Sequence, residues 1–204
     1  MTESDPSIDV DCEAVPVDED SFDGAVFIDR DGVINVNRPD YVKTVDELVL
    51  LPDALNALAR LRESGLRSIV ISNQAGVGRG LISPRELQRI NDRLLGEISA
   101  HGGCITRIYY CTHRKEENCS CRKPEIGLLL RAKEELDIDL HRSYLIGDAL
   151  SDIESGKRAG CRTILVLSGR SGLNEVADWG SQPDHIAGTL ADAVDWILND
   201  GRSS

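Results

Sequence analysis

Ala25-Val26-Phe27-Ile28-Asp29-Arg30-Asp31-Gly32 decides the reading of this chain. Four apolar residues in a row suit a strand buried on both faces. The run stops at an acidic pair spaced by one residue, with Gly32 to allow a tight turn. Extended backbone places residues i and i+2 on one side. Asp29 and Asp31 are therefore expected to share a pocket, with Arg30 pointing away.

The same arrangement recurs downstream. Arg67–Ser72 is a second apolar strand, followed by Asn73-Gln74-Ala75 and a glycine-rich loop. Ile105–Tyr110 is a third strand, Ser143–Gly147 a fourth and Arg162–Leu167 a fifth, with a weak strand near His185-Ile186. Helical spacing of apolar residues fills the gaps: Pro52–Glu63, Ser83 to about residue 100, a helix after Pro124, Asp148–Ala159 and 189–198. Ser83-Pro84-Arg85-Glu86 has the form of a capping box with proline at the first helical position. Strands alternating with helices imply an α/β fold, a three-layer α/β/α arrangement around a parallel sheet.

In an open parallel sheet, ligands bind at the C-terminal strand ends. Six acidic, hydroxylic or basic groups belong to that edge. Asp29 can attack phosphorus as a covalent nucleophile and Asp31 can serve as acid and then base. Asp148 follows the fourth strand and can join Asp29 in holding Mg²⁺ through oxygen. Asp152 is placed either to bind metal or to orient Lys123. Ser72 and Lys123 can stabilise a phosphoryl group. Taken singly, each has a plainer reading: a surface aspartate pair, a helix N-cap at Asp148 or Ser151, turn chemistry, a solvated lysine. Their common position after strands argues against that.

Cys111-x-His113-x5-Cys119-x-Cys121 supplies three thiolates and one imidazole. That set closes a tetrahedral structural Zn²⁺ site and leaves no position for a catalytic water. It would hold Arg122 and Lys123 at the pocket. Cys12, Cys104 and Cys161 read as a tail thiol and two buried or semi-buried ones.

These motifs, in this order from about residue 25 to 198, resemble the haloacid dehalogenase superfamily of phosphohydrolases. The resemblance implies a Rossmann-like fold without a large cap domain. It implies Asp29 as nucleophile, Asp31 as acid/base, Ser72 and Lys123 as phosphoryl stabilisers, and Asp148 as a Mg²⁺ ligand. The main-chain carbonyl of Asp31 is implied as a further ligand. Val33 and Ser72 stand where threonine is frequent. The combination of DRDGVIN, SNQAGVGRG, CTHRKEENCSCRKP and LIGDALSD is similar to the D,D-heptose 1,7-bisphosphate phosphatase family. That resemblance implies a phosphorylated sugar as substrate, chosen by Asn37, Tyr41, Asn73, Gln74, Ala75 and Arg122. The related histidinol-phosphate phosphatases carry the same zinc loop, and the five-residue gap between His113 and Cys119 suits them equally. Ala149 departs from a lysine found in some heptose enzymes, and Arg38-Pro39-Asp40 makes the loop before Tyr41 one residue longer. A generalist sugar phosphatase and a catalytically silent zinc-binding module remain as alternatives.

Composition bounds the rest. The 204 residues are 41% apolar and 28% charged, which suits one soluble domain. Net charge is −12, but nine of the 35 acidic residues fall in 1–24, leaving 26 against all 23 Lys and Arg. Residues 1–24 read as an acidic disordered tail, and 25–199 as the phosphatase domain with zinc loop 111–121. No basic patch suggests nucleic acid, and no apolar run suggests a membrane. No secretion signal is evident, so a cytoplasmic monomer is expected.

Overall fold

The computed structural model describes residues 7–9 and 23–200. A seven-stranded sheet runs through it. The strands are β1 (Ser7–Asp9), β2 (Val26–Ile28), β3 (Ser68–Asn73), β4 (Arg107–Cys111), β5 (Tyr144–Gly147), β6 (Arg162–Val166) and β7 (His185–Ala187). Their order is β1-β4-β3-β2-β5-β6-β7. β2 to β7 are mutually parallel, as expected, and β1 pairs antiparallel with β4, Ser7 opposite Tyr109. The leader was expected to be a disordered tail. Ser7–Asp9 instead form an edge strand, and most of the rest of 1–24 lies outside the described residues.

The helices are α1 (Ala54–Glu63), α2 (Ala75–Gly78), α3 (Pro84–Ala100), α4 (Gly127–Leu136), α5 (Leu150–Ala159), α6 (Leu173–Val176) and α7 (Leu190–Asp200). Ser83 caps α3, accepting the Glu86 amide at 3.0 Å. The short helices α2 and α6 and the strand β1 were not anticipated, because three or four residues carry too little periodicity to read.

Alternation along the strands builds two cores. Val26 and Ile28 face the side covered by α1, α3 and α7, with Leu58, Leu94 and Val194. Ala25 and Phe27 face α4, with Leu128, Leu129 and Ala132. Both faces are buried, which is why β2 reads as an unbroken apolar run. Three layers result. The segments after β2 and after β3 carry loops and helices and no separate cap. Among the described residues, no helix is long and apolar enough to cross a membrane. Cys104 was read as a thiol and is disulfide-bonded, whereas Cys161 is a buried free thiol.

From β2 the chain steps outward to β3 and β4, then returns to place β5 on the other flank of β2. Connections therefore leave β2 and β5 in opposite directions, opening a crevice between their C-terminal ends. Asp29 and Asp148 are the residues that follow those two ends.

Candidate active site and metal centres

A cavity of about 790 Å³ opens over that crevice. Asp29, Asp31, Ser72, Lys123, Asp148 and Asp152 line its floor. Lys123 is buried to 4% exposure, and its Nζ lies 3.0 Å from Asp29 Oδ1, 2.6 Å from Asp152 Oδ1 and 2.9 Å from the Ile71 carbonyl. Burial opposes the ammonium's charge, but the two carboxylates outweigh it and raise the Lys123 pKa. Asp152, the nearer of the two carboxylates, thus sits where it can orient Lys123. It also accepts the Ala149 amide at 3.1 Å, at the start of α5. Ala149, not Asp148 or Ser151, is the N-cap of that helix.

Asn73 fixes Lys123 from the main chain. Its Oδ1 accepts the Lys123 amide at 3.1 Å and its Nδ2 donates to the Lys123 carbonyl at 3.2 Å. A buried lysine held this way stays aimed at Asp29.

Burial, then the neighbouring charges of Asp152 and Asp31, push Asp29 up to about 6 despite Lys123. Burial, with Asp29 and Asp152 beside it, pushes Asp148 up to about 7. Oxygens of Asp29, Asp148 and Asp152 lie within 4.8 Å of one another. Crowded carboxylates with raised pKa values are a site that gains from a cation, and an all-oxygen donor set suits a hard divalent ion. Asp148 is itself steadied: the Arg170 amide donates to its Oδ2 at 2.7 Å. Gly32 has φ +90, and a Cβ there would stand 2.1 Å from Asp148 Oδ2. Only glycine lets the first acidic loop lie against the second.

Asp31 is the opposite case. Burial alone would raise its pKa, but Arg30, Asn35 and Gln74 outweigh burial and lower it. β2 ends at Ile28, and residues 30–35 form a tight turn in which the Ile34 and Asn35 amides both donate to the Arg30 carbonyl. Asp29 and Asp31 do share the cavity. Arg30 does not point away from the chemistry but folds back, fully buried, onto Asp31. Gln74 was expected to meet substrate; it is 1% exposed, does not line the cavity, and bonds Asp31, Ser72 and Arg30. Asn37, Tyr41, Asn73, Ala75 and Arg122 do line it. Arg38, Lys115, Asn118, Ser120 and Arg170 line it too and were not anticipated, because single polar residues in loops carry no pattern.

The thiol cluster stands beside this cavity. Cys121 Sγ is 3.2 Å from the Sγ atoms of Cys111 and Cys119, and Cys111 and Cys119 are 3.5 Å apart. His113 Nδ1 is 3.2 Å from Cys121 Sγ and 3.7 Å from Cys111 Sγ. Tetrahedral Zn²⁺ with Zn–S near 2.3 Å sets sulfur–sulfur edges of about 3.8 Å, so the four atoms fit one ion with small expansion. β4 delivers Cys111, and the loop delivers the other three.

A D-glycero-beta-D-manno-heptose-1,7-bisphosphate 7-phosphatase of Pseudomonas aeruginosa is 36% identical over 71% of this chain and 82% of the relative. The chain belongs to the D,D-heptose 1,7-bisphosphate phosphatase family. The Bordetella bronchiseptica enzyme of that name is 34% identical over 86% of this chain and 98% of its own. A crystal structure of D,D-heptose 1,7-bisphosphate phosphatase from B. bronchiseptica, complexed with magnesium and phosphate, superposes with TM-score 0.82 at 32% identity, covering 87% of this chain and 99% of that one. A HAD-hydrolase-like family model matches residues 120–193, the segment that carries Lys123 and Asp148.

Proposed function

We propose that this protein is a Mg²⁺-dependent phosphatase that removes the C7 phosphate of D-glycero-D-manno-heptose 1,7-bisphosphate through an aspartyl-phosphate on Asp29. The observation that carries the reading is the Asp29 carboxylate, held 3.0 Å from a buried ammonium and grouped with Asp148 at the switch point of the sheet. Family membership supplies the substrate class.

Asp29, Asp148 and the Asp31 carbonyl would hold Mg²⁺, which supplies positive charge against the phosphoryl oxygens. Lys123 adds a second cation, and the Ser72 hydroxyl a hydrogen bond. An Asp29 oxygen attacks phosphorus in line. The bond from phosphorus to the C7 oxygen breaks, and Asp31 delivers its proton to that oxygen. Asp31 ionises readily in the free protein, but an arriving phosphate dianion raises its pKa and favours the protonated form. Asp31 then takes a proton from water. The hydroxide so formed attacks phosphorus, the Asp29–phosphorus bond breaks, and both carboxyl groups return to their starting states.

Zn²⁺ on Cys111, His113, Cys119 and Cys121 would order the loop that presents Arg122 and Lys123. The Lys115, Arg122 and Arg170 side chains line the cavity and make no ion pair among the described residues. Arg38, by contrast, is paired with Asp40 and Glu47. Three cations outside any ion pair among the described residues, of which Arg122 donates to the His113 carbonyl at 3.5 Å, favour a substrate with a second phosphate over histidinol phosphate.

Phosphate release from the heptose bisphosphate and from histidinol phosphate, measured side by side in Mg²⁺, tests this. The expected result is at least about a tenfold higher kcat/KM for the bisphosphate, about 1.4 kcal/mol of transition-state preference. Preference for histidinol phosphate overturns the substrate; no release from either overturns the enzyme.

A further inference from the structure

Arg30 is the most deeply buried charged side chain next to the reacting groups, and the mechanism above does not use it. It is fully buried, in the turn two residues beyond the end of the apolar strand β2. Its Nη2 donates to Asp31 Oδ1 at 3.0 Å, to Asp31 Oδ2 at 2.9 Å and to Gln74 Oε1 at 3.1 Å, and its Nε lies 3.3 Å from Asp31 Oδ1. Gln74 Nε2 returns a bond to Asp31 Oδ2 at 2.8 Å, and Asn35 Nδ2 donates to Oδ1 at 2.8 Å.

We infer that Arg30 is a positioning residue: with Gln74 and Asn35 it fixes the direction in which Asp31 presents its proton to the leaving oxygen. The geometry supports this in three ways. Donors from three separate residues converge on one carboxylate, which leaves it no alternative rotamer with equal bonding. The donor set is a closed ring, since Arg30 bonds Gln74 and Gln74 bonds Asp31, so the plane of the carboxylate is defined as well as its position. The ring lies behind Asp31, whose side chain keeps 23% exposure and lines the cavity on its free side. A lysine could match the charge but not this fork, because its ammonium is a point donor.

The inference rests on Asp31 as the acid, and the test separates the two. Proton delivery matters for an alcohol leaving group and little for p-nitrophenolate, which departs as a stable anion. The value of kcat/KM reports steps through aspartyl-phosphate formation and excludes its hydrolysis. The experiment compares kcat/KM for the heptose bisphosphate and for p-nitrophenyl phosphate in the native, Asp31→Asn, Arg30→Lys and Arg30→Lys/Asp31→Asn proteins.

Asp31→Asn should lose about 100-fold or more on the sugar phosphate and much less on the aryl phosphate. If its losses are equal, the acid assignment itself fails. Given a selective loss there, Arg30→Lys should fall about 30-fold on the sugar phosphate and under about threefold on the aryl phosphate. It should add nothing in the Asp31→Asn background. Equal losses on both substrates, or a further full loss in the double variant, would overturn the inference and leave the acid assignment standing. Should Arg30→Lys fail to fold, Gln74→Leu removes a different member of the ring and is read by the same ratio: a selective loss supports the inference and a uniform one overturns it.

Discussion

Two clusters of ionisable ligand atoms stand side by side in this protein, and they are built on opposite plans. The carboxylates of Asp29, Asp148 and Asp152 are hard oxygen donors in an open crevice, partly neutralised by Lys123. The three thiols and one imidazole at the end of β4 and in the loop after it are softer donors, packed against one another with Cys111 and Cys121 buried. An open oxygen site keeps room for water and substrate; a closed sulfur site has none. The difference supports the proposed division of labour, with one centre for turnover and the other for shape. They meet at Lys123, two residues after Cys121 and 3.0 Å from Asp29.

Removing the nucleophile should have the largest effect. Asp29→Asn should lower kcat by at least about 10⁴-fold while leaving zinc content and thermal stability close to native. Steady-state phosphate release with elemental analysis of the same sample checks both halves. Full turnover by the variant would break the comparison, because the oxygen centre would then not be where the chemistry happens.

Disturbing the sulfur centre should cost less, and differently. The native protein should carry about one Zn²⁺ per chain. Cys119→Ser, at the half-buried member of the cluster, should lose that ion, destabilise the loop and lower kcat/KM by about 100-fold through misplacement of Lys123 and Arg122. Elemental analysis and kinetics on one preparation test this. A metal-free but fully active variant would show that β4 and the Asn73 bonds suffice to hold Lys123.

The two centres should also respond differently to pH. Asp29 and Asp148 have folded pKa values of about 6 and about 7, above their ordinary value near 3.8. In metal-free protein they therefore contribute stability that is full below pH 3.8 and is lost as pH rises through about 6 and about 7. Mg²⁺ has the reverse trend, since it must displace those protons. The rise in Tm on adding Mg²⁺ should be clearly larger at pH 8 than at pH 5.5, when measured by differential scanning fluorimetry at one ionic strength. An equal rise at both pH values would mean that these carboxylates do not take the ion.

How much of this was legible in the chain depends on the length of the signal. β2 to β6 and the long helices α1, α3, α4, α5 and α7 carry enough apolar residues to show their period, and they lie within a few residues of their expected places. Asp29 and Asp148 were legible because each follows a strand and Ser72 because it lies near the end of one, and a parallel sheet brings such positions to one edge; Lys123, far beyond β4, rested on its motif before α4 and on resemblance. Gln74 was assigned to substrate by resemblance, not by alternation, whereas Arg30 was misread for a geometric reason. Alternation is a rule for extended backbone, and the strand stops at Ile28, so the rule no longer applied where it was used. Arg170 was invisible because what places it is a main-chain bond to Asp148, which any residue could make.

The smallest effect should come from a cysteine outside both centres. Cys161 is a buried free thiol just before β6, packed in the apolar core that faces α4. Burial pushes its thiol up to about 12, so it stays protonated at neutral pH and is a poor ligand and nucleophile. Cys161→Ala removes one buried sulfur and should cost about 1 kcal/mol of stability, with zinc content and kcat/KM unchanged. Denaturant unfolding with parallel zinc analysis measures this. A fall in bound zinc would extend the sulfur centre into the core and break its separation from the rest of the fold. Unchanged zinc would tie metal binding to the arrangement of Cys111, His113, Cys119 and Cys121 instead of to thiol content alone.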